Sequence, residues 1–309
     1  MTDLLNPTWS SDQKDQMISK EKFLRYQEKI NPASHHYLTE NKIIFHQYCT
    51  EHNLPVPELV AVIDPAKRSY WGSGNPITTK EDFLVGLSQY PFDLICKPVH
   101  GAQGKDITNL HFNNENHIVS SNGHTSLSDF ANSVFEHRDT PYILQKKLYS
   151  HKDIVDLTDN DMLQSLRMIT YLDQNNQPQL IIRKIKLPRK GSIVDNFSFG
   201  ISKGRQCKIN EEGLVTKTLA FCEQKQRLVT HDYVKNANGE ISRFKIPYWE
   251  QCVETVLNAQ KIFAPLRTIG WDVGITDDGP VLIEGNIFWD PLIPQEGGMK
   301  EICQIFKSM

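Results

Sequence analysis

The stretch GWDVGITDDGPVLIEGN, residues 270 to 286, constrains the fold more than any other part of the chain. Apolar residues alternate with polar or glycine positions on both sides of an acidic turn, the pattern of a two-stranded antiparallel hairpin. Taking Asp277-Asp278-Gly279 as a three-residue loop, with glycine where positive φ is wanted, Thr276 faces Pro280, Gly274 faces Leu282 and Asp272 faces Glu284. Asn286 then shares the face of Glu284, and Gly274 leaves open space beside the acids. Trp271, Val273, Ile275, Val281 and Ile283 form the opposite, core-facing side. Like charges directly opposed in a sheet repel by about 0.2–1 kcal/mol. Either the hairpin is an exposed acidic ribbon that tolerates this, or Asp272, Glu284 and Asn286 are oxygen ligands for a hard cation such as Mg²⁺, which keeps water and phosphate as its other ligands.

A second feature bears on that choice. In DLICKPVHGAQGKD a strand ends at Lys97 and runs into a loop with Gly101 and Gly104. Glycines let backbone amides approach phosphate oxygens, although most glycine loops only turn the chain. The spacing is neither that of a P-loop nor that of a dinucleotide-binding helix.

The 309 residues allow a full core divided among packed subdomains. Lys plus Arg number 34 against 37 Asp plus Glu, so a net charge of −3 offers no broad attraction to nucleic acid or an anionic membrane. Any bound anion must be caught locally. No apolar run approaches the ~20 residues of a membrane span, and MTDLLNPTWSSDQKDQ is too polar for a secretory signal, so a cytoplasmic protein is expected. Six scattered cysteines without a C-x-x-C pair read as buried thiols. The histidines lack metal-ligand spacing.

Along the chain, residues 1 to 50 read as helical with a break at Asn31-Pro32, and LPVPELVAVID turns to strand. TTKEDFLVGLSQ is a short helix with Thr79 as its cap. FDLICKPVHGAQGKDITNLHF reads as strand, loop, strand; SLSDFANSVF as helix; and YILQKKL as strand. SLRMITYLD and PQLIIRKIKL are strands joined by a turn, and PRKGSIVDNFSFGISKG is loop-like. WEQCVETVLNAQKIF is a helix with Trp249, Cys252, Val253, Val256 and Leu257 on its core side. Helices interleave with hairpins and the parallel βαβ cadence is weak, so the expected class is α+β with antiparallel sheets.

Taken in order, these pieces resemble an ATP-grasp enzyme. Lys42, in NKIIFHQYCTEHN, resembles the first nucleotide lysine of that family, and Lys97 the second, at the head of the flexible glycine loop. YILQKK resembles the hinge that hydrogen-bonds adenine, and Asp272, Glu284 and Asn286 match the metal-binding D…E-x-N. RMITYLD, KLPRKGSIVDNFSFGIS and GWDVGITDDGPVLIEGN are similar to the sugar-transfer associated branch. The resemblance implies two α+β subdomains clasping ATP, after a shortened helical region at 1–75. The small subdomain would span 76–148 and the large one, with the metal site, 149–309.

The resemblance further implies ATP with Mg²⁺ or Mn²⁺, and nucleotide contacts from Lys42, Lys97, Gly101, Gln103, Gly104, Gln145, Lys146, Lys147 and Leu148. Asp153 is either a ribose acceptor or a helix-start aspartate. Asp195 and Asn196 hold the acceptor substrate or stabilise a turn. D-alanine ligase-like members carry an arginine two positions before the metal aspartate, where this chain has Gly270. Arg167, then Lys186 and Arg189, are the candidate cations for the transferring phosphate; the other reading of each is a structural salt bridge. The activity implied is a carboxylate–amine ligase acting through an acylphosphate on a sugar acid or amino acid, in polysaccharide or specialised-metabolite biosynthesis. A small-molecule kinase and a non-catalytic nucleotide-binding regulator are the alternatives. The implied partners are a small carboxylate and an amine, without nucleic acid or membrane, and the chain is expected as a monomer or homodimer.

Overall fold

The computed structural model describes residues 20–64, 66, 68–101, 107–111, 117–120, 123–135, 140–188, 204–224, 227–290, 302 and 304–306. The described residues begin with helices α1 (Lys20–Ile30), α2 (Tyr37–Glu40) and α3 (Lys42–Glu51). Asn41 caps α3 by accepting from the backbone N–H groups of Ile43 and Ile44, at 3.0 and 3.1 Å. Strands β1 (Leu59–Ile63), β2 (Ser69–Trp71) and β3 (Pro76–Ile77) lead to α4 (Lys80–Leu87). Thr79 closes a reciprocal capping box with Asp82 at the start of α4.

Next come β4 (Leu94–Pro98), β5 (Thr108–Leu110), the small hairpin β6 (His117–Ser120) and β7 (Gly123–Ser126), α5 (Leu127–Phe135) and β8 (Tyr142–Lys146). A six-stranded sheet forms in the order β3-β2-β1-β8-β4-β5, each neighbouring pair antiparallel. Helices α4 and α5 seal it through Phe83, Leu87, Phe130 and Val134. Strands β1 and β2 precede residue 76 yet belong to this sheet, so the helical region expected over 1–75 contributes two strands to the small lobe.

The second half supplies α6 (Lys152–Thr158), β9 (Ser165–Leu172), β10 (Pro178–Leu187), β11 (Arg205–Ile209), β12 (Val215–Cys222), β13 (Arg227–His231), β14 (Val234–Lys235), β15 (Ile241–Ser242), α7 (Trp249–Ile262), β16 (Thr268–Thr276) and β17 (Gly279–Asn286). Seven of these strands form an antiparallel sheet ordered β13-β12-β11-β10-β9-β16-β17. Helix α7 covers one face with Trp249, Cys252, Val256 and Ala259, a stripe at helical spacing. Val253 and Leu257 from the expected stripe are half-buried, and buried Gln260 joins it instead.

Gln260 is tolerated in the core because it is paired. Its Nε2 donates to the Leu266 carbonyl at 2.7 Å, its Oε1 accepts from the Thr170 hydroxyl at 2.6 Å, and the Trp271 indole donates to that hydroxyl at 2.8 Å. This chain of bonds pins β16 from its core side. Leu38, Phe45 and Cys49 from α2 and α3, with Leu54 just beyond them, enter the same core as Trp271 and Val273. No helix among the described residues is long and apolar enough to cross a membrane.

Candidate nucleotide and metal site

Asp272 and Glu284 are directly opposed, as the alternation implies, but the hairpin reaches that register differently. Its loop is the two residues Asp277-Asp278, with Thr276 facing Gly279, Gly274 facing Val281 and Val273 facing Leu282. Thr276 tightens the turn: its hydroxyl donates to the Gly279 carbonyl and accepts from the Asp278 N–H, at 3.0 and 3.2 Å. A bulge between Asp272 and Val273 on one strand, with Ile283 as the extra residue on the other, shifts the pairing by one and restores Asp272 against Glu284. Consequently Leu282 is fully buried beside Val273, where the simple alternation puts Val281.

The acidic face is also covered. A side chain at Gly274 would meet Leu163, whose Cδ2 lies 2.7 Å from the Cβ position, so the expected open space is filled. At Gly270 a Cβ would stand 2.8 Å from Trp289 Cβ, which leaves no room for an arginine on that strand. The cations come from neighbouring strands. Lys184 on β10, Arg167 on β9, Asp272 on β16 and Glu284 on β17 form one row of directly opposed residues, and Lys186 lies two residues beyond Lys184 on the same face. Arg167 Nε is 2.6 Å from Asp272 Oδ1, and its Nη2 donates to Oδ2 at 3.1 Å. Lys186 Nζ donates to the same Oδ2 at 3.0 Å.

These contacts divide the two acids electrostatically. Burial pushes the Asp272 carboxyl up, but Arg167 and Lys186 outweigh it and hold Asp272 below the usual carboxylate range, helped by a hydrogen bond from Glu284. Burial and the adjacent Asp272 charge push Glu284 up, against the Asn286 amide, which donates to Glu284 Oε1 at 3.1 Å. The result is one fixed anion beside a carboxyl that holds its proton more tightly than an ordinary glutamate.

The opposite wall belongs to the small sheet. Lys97 lies at the end of β4, only 7% exposed, and burial pushes its ammonium down to about 8, against the Glu284 charge and in concert with Lys42. Lys42 is lowered by burial and likewise raised by Glu284. The start of α3 is tied to the glycine loop: the Lys42 N–H donates to the Val99 carbonyl at 3.2 Å and its Nζ to the Gly101 carbonyl at 2.9 Å. Lys42 on α3 and Lys97 on β4 thus feel the charge of Glu284, while Arg167 and Lys186 pair with Asp272. Such an excess of cations suits a polyanion.

The other expected positions are placed less directly. Gln145 ends the buried part of β8 between β1 and β4, and the N–H groups of Lys146 and Lys147 donate to the carbonyls of Glu58 and Asp93, at 3.0 and 2.8 Å. Lys147 Nζ lies 3.1 Å from His111 Nε2, whose Nδ1 is 2.6 Å from Asp93 Oδ2. Leu148 follows, half-buried. Asp153 sits in the first turn of α6 with its Oδ2 3.7 Å from His151 Nδ1, beside the turn of the hairpin rather than its acidic pair. Gln103, Gly104, Arg189, Asp195 and Asn196 lie outside the described residues. Lys184 was missed; RKIKL, in which Lys184 and Lys186 alternate with Ile185 and Leu187, carried the signal.

Asp272, Glu284 and Asn286 fit a hard divalent cation by the chemistry of their donors: carboxylate and amide oxygens close together at one cleft. Among the described residues, three or more His, Cys, Asp or Glu side chains nowhere gather as a metal cluster, so the amide oxygen is part of any such ligand set.

Among solved structures the chain is similar to N5-carboxyaminoimidazole synthetase from Staphylococcus aureus, with 10% identity and a TM-score of 0.44 over 89% of this chain and 52% of that one. It is also similar to D-alanyl-alanine synthetase A from Vibrio cholerae, with 9% identity and a TM-score of 0.47 over 87% and 65%. A third is the L-amino acid ligase from Bacillus licheniformis, at 14% identity and a TM-score of 0.40 over 81% and 43%. The chain thus spans 43% to 65% of the length of these three. No curated protein matches it. The family model described as sugar-transfer associated ATP-grasp matches residues 22–303, nearly the whole chain and both walls of the cleft, and the protein belongs to that family.

Proposed function

We propose that the protein is an ATP-dependent ligase that joins a carboxylate to an amine through an acylphosphate. The observation that carries the reading is the meeting of Lys42, Lys97, Arg167 and Lys186 with the opposed pair Asp272 and Glu284. Lys42 and Lys97 hold the phosphates, with Gly101, Gln103 and Gly104 closing over them; Gln145 to Leu148 receive the adenine and Asp153 the ribose. Asp272, Glu284 and Asn286 would hold Mg²⁺ or Mn²⁺, which when bound draws charge from phosphate oxygens.

In the first step a carboxylate oxygen attacks the γ-phosphorus, the bond to the bridging oxygen breaks and ADP leaves. In the second, the amine nitrogen attacks the acyl carbon, phosphate departs and the nitrogen loses a proton. Both steps build negative charge on oxygens, which Lys42 and Lys97 would offset. Arg167 keeps Asp272 ionised and oriented. Arg189 supplies a further cation, and Asp195 and Asn196 hold the acceptor. The family's link with sugar transfer supports a sugar acid or amino acid as the carboxylate partner, handled in the cytoplasm by a monomer or homodimer.

The test is incubation with ATP, Mg²⁺ and a panel of acids in hydroxylamine. Hydroxamate with ADP release is the expected outcome. A stable phosphoester would instead make the protein a kinase, and nucleotide binding without ADP release from any acid would make it a non-catalytic binder.

A further inference from the structure

Asp272, proposed above as a metal ligand, already faces two cations. Arg167 Nε lies 2.6 Å from Oδ1 as an ion pair without hydrogen-bond geometry, its Nη2 donates to Oδ2 at 3.1 Å, and Lys186 Nζ donates to the same Oδ2 at 3.0 Å. The side chains of Arg167, Asp272 and Lys186 are only 20%, 8% and 10% exposed, so water does little to screen this cluster. Glu284, the other carboxylate, makes no ion pair within the described residues and accepts from the Asn286 amide at 3.1 Å. The two cations are therefore distributed unequally, both on the acid that any divalent ion must share.

The two cations are also chemically unlike. A guanidinium holds a carboxylate through a planar two-point grip, whereas an ammonium is a point charge on a flexible stem that can swing to another anion. We infer that Lys186 is a positioning residue that occupies the cation place on Asp272 until a nucleotide arrives, so that a divalent metal binds with the nucleotide and not before it. Metal alone would add positive charge to a cleft that already holds Lys42, Lys97, Arg167 and Lys186. A triphosphate reverses that balance and offers Lys186 a new partner, freeing the ammonium's place on the carboxylate for the metal while Arg167 keeps the carboxylate oriented. The inference rests on the proposed nucleotide and metal site.

The experiment titrates Mn²⁺ into the nucleotide-free full chain and follows the free ion by electron paramagnetic resonance. Wild type is expected to bind weakly, Lys186→Met at least about tenfold more tightly, and Lys186→Arg as weakly as wild type. Asp272→Asn added to Lys186→Met should erase the gain. With a nonhydrolysable ATP analogue present, wild type and Lys186→Met should agree within about twofold. Lys186→Gln, which retains a hydrogen bond without the charge, serves if the methionine variant fails to fold, and should gain affinity as well. Equal Mn²⁺ affinity in wild type and the neutral variants, or a gain that survives Asp272→Asn, overturns the inference. Binding of a fluorescent ATP analogue to wild type is a separate reading. Its absence would remove the proposed function while leaving the Mn²⁺ comparison intact.

Discussion

Asp272 and Lys97 are both buried charges in one cleft, yet only Asp272 is neutralised from within its own sheet. Arg167 and Lys186 reach it from β9 and β10, and the three side chains form a closed cluster. Lys97 makes no ion pair among the described residues, and the strongest opposite charge it feels is Glu284, across on the other sheet. The large wall is thus built before any ligand binds, whereas the small wall keeps its positive charge uncompensated for one. Changes on the first should register in stability, and changes on the second in anion affinity.

The sharpest way to break that distinction is Asp272→Asn, which leaves Arg167 and Lys186 buried against each other. It should destabilise the fold by about 3–5 kcal/mol in thermal or denaturant unfolding and abolish turnover. Little loss of stability would mean that the cluster is not a preformed unit. Glu284→Gln separates the two acids: turnover should fall by about 10³-fold, while stability holds or rises by up to about 1 kcal/mol as the repulsion with Asp272 is removed. A marked loss of stability would place Glu284 among the structural charges instead.

On the small wall, Lys97→Met should weaken ATP binding about thirtyfold by calorimetry with no loss of melting temperature. The pH dependence follows in sign from burial. Because the folded value lies at about 8 against an ordinary 10.5, the unfolded chain holds more protons between those values, and stability rises with pH across that window. Anion affinity runs the other way, falling as pH passes 8 and Lys97 loses its charge. Lys97→Met should remove both trends, and their survival would deny Lys97 its role. Lys42→Met is the mildest change, about fivefold in ATP affinity, since that ammonium also serves the Gly101 carbonyl.

The opposed acids were legible because a strand's period of two survives on either side of the bulge. The turn was not, since a two-residue loop and a bulge cancel to the same pairing at Asp272 that a three-residue loop would give. The Arg167 and Lys186 contacts join residues separated by 105 and 86 positions, and no local pattern reveals a partner at that range. Strands β11 to β13 went unread although TKTLAFC and RLVTH are rich in strand-forming residues, because Lys208 and Lys217 interrupt the apolar alternation. The cap at Thr79 and the stripe on α7 were readable, being local. The way Leu38 and Phe45 enter the core behind β16 was not.

That last arrangement has a consequence for how the chain is made. Leu38, Phe45 and Cys49 are synthesised more than two hundred residues before β16 and β17, whose residues share their core. The six-stranded lobe, continuous from 59 to 146, can close in the meantime. Nascent chains therefore hold these apolar side chains uncovered until β16 and β17 have been made, an interval in which exposed apolar surface favours misassembly.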